Sequence, residues 1–136
     1  MCLEGKDMQQ IATASAGQMS QPLIDHAALA EMWNDAGPEL FRDIAGLFEN
    51  ERSRRMARLP AALASCDRAQ LAFDAHTLKG AAAYVAAARL QDAAMVLERD
   101  AASAPPERLA GLVADVLSAA DATGPALAAA MADMQG

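Results

Sequence analysis

A single imidazole sits where helical spacing could put it to chemical use. His76 lies in Ala75-His76-Thr77-Leu78-Lys79-Gly80-Ala81-Ala82-Ala83, a run dominated by helix formers. An imidazole with an ordinary pKa, about 6.5, is largely neutral at cytoplasmic pH and therefore nucleophilic. A phosphoryl group received on it needs space and compensating positive charge. Gly80, four residues on, leaves the space, and Lys79, three residues on, can reach the phosphoryl oxygens without blocking attack. Glycine costs about 1 kcal/mol relative to alanine in a helix interior, so Gly80 among alanines asks for a reason. Plainer uses exist for each residue. A surface histidine is usually just solvated, a lone lysine solubilises, and a helical glycine can admit close packing.

With His76 at zero and about 100° per residue, Leu71, Ala75, Leu78, Ala82 and Val85 cluster near a direction about 220° round. That is the expected core face. His76 points away from it, and its angular neighbours are Phe73, Lys79, Gly80, Ala83, Tyr84 and Ala87. The helix should therefore carry one imidazole on a nearly flat, exposed surface. Phe73, Thr77, Ala83, Tyr84 and Ala87 are the candidate partner-binding residues around it, joined by the first helix. For Phe73 and Tyr84, partial core packing is an equal alternative.

The elements that must position this face are helical. Alanine dominates the 136 residues, aromatics are 4%, and β-branched residues are sparse, which together favour helix over strand. Residues 1–20 show little periodicity and read as a flexible N-terminal tail; residues 21–136 read as one bundle domain. A first short helix is expected after Pro22 with Asp25 as N-cap and Leu29, Met32 and Trp33 inward. A second begins near Pro38 with Leu40, Phe41, Ile44, Leu47 and Phe48 as its stripe, and Pro60 should kink or split it. Asp67 caps a third helix running to about Ala87, and a fourth runs from about Arg89 to Ala102. After the break at Pro105-Pro106, a fifth carries Leu109, Leu112, Val113, Val116 and Leu117, interrupted at Gly124-Pro125. The expected fold is all-α, an antiparallel four-helix bundle with a short additional N-terminal helix.

Charge and composition exclude several functions. A net charge of −7 opposes nucleic-acid binding. The first twenty residues hold no sustained apolar segment, and no stretch reaches about 18 uninterrupted apolar residues, so neither a secretory signal nor a membrane span is expected. The chain reads as cytoplasmic. Cys2 and Cys66 have no metal-ligand spacing and read as free thiols, and pairing His26 with His76 around a metal has no supporting spacing either. No metal site is expected. Arg52, Arg54, Arg55 and Arg58 form a basic run, read chiefly as a solvated helix face and secondarily as a contact for an acidic partner.

His76-Thr77-Leu78-Lys79-Gly80 resembles the H-x-L-K-G core of histidine-containing phosphotransfer (HPt) domains of two-component phosphorelays. The resemblance extends over about residues 22–120, through Leu40 to Phe48 and Asp67 upstream and through Leu90, Ala94, Leu97 and Glu98 downstream. Two positions depart from the family pattern: Ala86 stands where a glycine is common, and Pro60 where an ordinary helix former is usual.

The resemblance implies that His76 is phosphorylated, with Lys79 and Gly80 as its catalytic neighbours. The group would arrive from a receiver-domain aspartate and pass to another receiver domain. The implied partners are response-regulator receiver domains, with a hybrid sensor histidine kinase as a further candidate, and neither nucleic acid nor membrane. No cofactor is expected on this chain, because the receiver supplies the Mg²⁺. No Gly-rich phosphate loop is evident, so the implied role is a phosphocarrier without autokinase activity. A monomer is expected, since the bundle buries its own stripes. The alternative is a non-catalytic receiver-binding adaptor or regulatory helical bundle.

Overall fold

The structure is a computed structural model that describes residues 21–135; the proposed N-terminal tail lies outside the described residues. Five helices follow one another: α1 (His26–Ala36), α2 (Pro38–Ala64), α3 (Arg68–Ala83), α4 (Ala88–Asp100) and α5 (Pro106–Gln135). Helices α2 to α5 close a four-helix ring, α3 packing on α2 and α4, and α5 on α4 and α2, while α1 lies against α2. No strand occurs among the described residues.

Local chemistry explains the helix starts. The Asp25 carboxylate accepts from the Ala28 N–H at 3.1 Å, and the Asp67 carboxylate from the Gln70 N–H at 3.1 Å. Each satisfies a donor that the first turn leaves without a partner. Pro38 occupies the first turn of α2, where its missing N–H costs nothing.

Neither Pro60 nor Pro125 splits its helix, contrary to the interruption expected at Gly124-Pro125. Both α2 and α5 run on without a break, through Pro60 and Pro125. Both rings lie on exposed faces, so the carbonyls that lose a donor, four residues earlier, face solvent and can be hydrated.

The α2 stripe is also narrower than expected. Phe41, Ala45 and Phe48 are buried, whereas Leu40 and Leu47 are 53% and 67% exposed. Contact with the bundle covers one side of this end of α2, and the leucines flank that sector. Arg55, read as part of a solvated basic face, is buried, because it turns inward to an acid on α3. Cys66, exposed in the α2–α3 turn, is not a free thiol.

Helix α3 stops at Ala83, four residues earlier than predicted. Ala86 adopts a left-handed conformation, φ +56°, and the chain reverses into α4. The Ala87 N–H donates to the Ala82 carbonyl at 3.0 Å, closing the helix end. Residues 21–25 lie across this turn: Asp25 N–H donates to the Ala86 carbonyl, and Arg89 donates from its backbone to Pro22 and from Nε to the Gln21 carbonyl. Ile24 is buried beneath. Helix α5 is long and apolar enough to cross a membrane by length and composition alone. Here its Leu109, Val113 and Val116 side chains fill the bundle core against α4 and α2.

Candidate functional site

Helix α3 buries Leu71, Ala75, Leu78 and Ala82 completely, which turns His76 outward. Its side chain is 66% exposed. Periodicity alone therefore places the imidazole correctly.

Its partner comes from the neighbouring helix. Nδ1 of His76 lies 2.7 Å from Oε2 of Glu98 on α4, and Nζ of Lys79 lies 2.6 Å from Oε1 of the same carboxylate. The Lys79 hydrogen bond, followed by that of His76, holds the Glu98 carboxyl below the usual carboxylate range. Glu98 is therefore ionised at neutral pH and can only accept. A neutral His76 ring must then carry its proton on Nδ1 and present the Nε2 lone pair away from Glu98. Glu98 was visible in the sequence as part of the α4 pattern but not as a site residue. It stands 22 positions from His76, and only packing of α3 on α4 brings the two together.

Gly80 decides between two readings of its presence. A Cβ placed there would meet nothing within 4 Å, so no helix packs close enough to require glycine. The residue keeps the surface low beside His76 instead. Ala83 is half-buried and Tyr84 is 69% exposed, extending this surface toward α1 and α2. Tyr84 borders an apolar cleft with Ile44, Leu47, Phe48 and Ala81, and another with Met32, Ala36 and Phe41. Leu40 and Leu47 add exposed apolar area that the pattern had assigned to the core.

Phe73 is 56% exposed, so the core-packing alternative fails for it as for Tyr84. Thr77 is half-buried, and its Oγ1 donates to the Phe73 carbonyl at 3.1 Å. Ala87 does not belong to the surface: it is fully buried. Extrapolating helical angles past Ala83 misplaced it, because the left-handed Ala86 turns the chain inward. Of the basic run, Arg52 is bound to Glu49 and to the Ala120 carbonyl, and Arg54 to Glu51. Among the described residues no three His, Cys, Asp or Glu side chains gather as a metal site.

The family model of the Hpt domain matches residues 43–134, two-thirds of the chain and the whole of α3, α4 and most of α5. The chain belongs to the Hpt domain family. This Hpt domain is a phosphotransfer carrier of two-component signalling, a class that works with receiver domains and kinases. Neither the curated proteins nor the solved structures include a match to it. Helix α1 and the start of α2 lie outside the matched span, although both line the clefts beside Tyr84.

Proposed function

We propose that His76 is the phosphoryl-carrying residue, accepting the group from a receiver-domain aspartate and passing it to another receiver. One observation carries the reading: the Glu98 carboxylate lies 2.7 Å from Nδ1 of His76, which leaves Nε2 as the nucleophile beside the open surface at Gly80. In the forward step the Nε2 lone pair attacks phosphorus in line. The N–P bond forms as the P–O bond of the aspartyl phosphate breaks, and the receiver carboxylate leaves with the electron pair. Such transfer depends mainly on positioning and charge stabilisation. Lys79 stands one turn from His76 with three N–H donors, of which Glu98 engages one side. It can neutralise the incoming phosphoryl oxygens while Glu98 keeps the ring oriented.

The Mg²⁺ and most of the catalytic groups belong to the receiver, which docks over Phe73, Thr77, Ala83 and Tyr84 together with Leu40 and Leu47. Exposed apolar patches of this kind mark partner sites.

The test is incubation with a phosphorylated receiver domain, followed by assay for acid-labile, base-stable phosphate on this chain. Wild type becomes labelled and His76→Gln does not; equal labelling of the variant removes His76 from the mechanism. Lys79→Ala slows transfer by about tenfold, the loss of one charge-assisted contact of about 1.4 kcal/mol, with the bundle still folded. Receiver binding without any labelling of wild type would establish the adaptor reading instead.

A further inference from the structure

Arg55 and Asp74 are the only buried charged residues among the described residues, 6% and 0% exposed. They join α2 to α3, Nη1 of Arg55 lying 2.8 Å from Oδ1 of Asp74. Gln70 donates to the same oxygen at 3.0 Å, and Oδ2 has no hydrogen-bond partner among the described residues. Nε of Arg55 donates to Oε2 of Glu51 at 3.1 Å. Buried ion pairs contribute little net stability compared with apolar residues of similar volume. Stability alone therefore does not account for this one.

The guanidinium plane suggests another use. Asp74 and Glu51 engage its edge, and its Cζ lies over the Phe73 ring, 5.2 Å from the ring centroid, within cation–π range. Phe73 precedes His76 by three residues and sits about 60° round the helix from it. Glu51, at the other end of the network, borders the apolar cleft with Leu47 and Tyr84. The pair thus connects the two ends of the surface beside His76. An exposed phenyl would ordinarily sample several rotamers, and ordering it on docking would cost entropy. Held by cation–π contact with a fixed guanidinium, it is ordered in advance.

We propose that Arg55 is a positioning residue for docking, its plane set by Asp74 and Glu51, and that it holds the Phe73 ring as a rigid part of the receiver-binding surface. The proposal rests on the phosphocarrier reading. It predicts that Arg55 and Phe73 act as one unit in the KM for the phosphorylated receiver.

Initial rates of transfer from a phosphorylated receiver, measured over a range of receiver concentrations, test this. The chains compared are wild type, Phe73→Ala, the near-isosteric neutral pair Arg55→Gln/Asp74→Asn, and the triple variant. Loss of the cation–π contact should raise KM about two- to fivefold in the neutral pair. The triple variant should be no worse than the worse of its parents, because coupled residues are not additive. A wild-type KM in the neutral pair, or a triple variant whose KM multiplies the two effects, overturns the proposal. Arg55→Lys covers the case in which the neutral pair does not fold. It keeps the buried charge but lacks the planar face, so a raised KM is expected and a wild-type KM refutes. Charging of the Arg55 variants by phosphoramidate, which needs no docking, should match wild type; a parallel loss there would mean that the network acts on His76 chemistry and would also refute. If no receiver charges wild type, the phosphocarrier reading fails first and this proposal falls with it.

Discussion

Gly80 offers a perturbation whose effects on stability and on transfer should have opposite signs. The residue is exposed in the last turn of α3, and an added Cβ meets nothing within 4 Å. Gly80→Ala therefore introduces no clash and gains the difference in helix propensity, at most about 1 kcal/mol this close to the helix end. For a domain of this size that corresponds to a rise in Tm of about 4 °C. Gly80→Leu gains nearly as much, since leucine is also a strong helix former. Transfer should move the other way. A leucine side chain one turn from His76 stands where the receiver must approach, and displacement of the reacting atoms by about 1 Å costs on the order of a hundredfold in rate. Alanine, projecting less, should slow transfer only slightly. Thermal unfolding followed by circular dichroism, alongside single-turnover transfer from a phosphorylated receiver, checks both halves. A fall in Tm for Gly80→Ala would show that packing, not access, requires the glycine. Undiminished transfer in a folded Gly80→Leu protein would refute the access argument.

Three further outcomes are expected. Glu98→Ala should release the His76 ring: nitrogen chemical shifts above pH 8 should report mainly Nδ1–H in wild type and a shift toward Nε2–H in the variant, and unchanged shifts would mean that Glu98 does not set the tautomer. Ala86→Gly relieves a left-handed alanine but adds unfolded-chain entropy and removes a buried methyl, so stability read by chemical denaturation should change by less than about 1 kcal/mol; a larger loss would show that the turn is not strained. Asp100 is held down to about 2 from 3.8 by hydrogen bonds from Arg99 and Arg108. A carboxylate with a depressed folded-state pKa stabilises above its unfolded value and loses that contribution as pH falls through its folded one. The Tm advantage of wild type over Asp100→Asn should therefore be constant from neutral pH to about 4, shrink below 3.8 and vanish near 2; an advantage that survives at pH 2 would count against the linkage.

Much of this domain could be read without coordinates because helices are local. Turn by turn, the alternation of Leu71, Ala75, Leu78 and Ala82 with polar or small residues determined which face of α3 is buried, and hence that His76 is not. Asp25 and Asp67 cap the helices they were expected to cap, each through a hydrogen bond spanning three residues. The H-x-L-K-G core lies in the same local run, whereas the family membership rests on a match over residues 43–134.

What required the tertiary structure is whatever depends on a second helix. Glu98 reaches His76 and Lys79 only because α4 packs beside α3, a contact between residues 22 apart that no periodicity encodes. Arg55 looked like one of four solvated arginines until α3 supplied Asp74 to receive it. Leu40 and Leu47 have the spacing of core residues, but among the described residues no neighbour covers them. Ala87 has the helical angle of a surface residue, but the chain turns at Ala86 before reaching it. Spacing along the chain settled which way His76 points. The docking of one helix on another decided what holds its ring and what surrounds it, because hydrogen bonds and burial between helices depend on distances through space, which sequence separation does not specify.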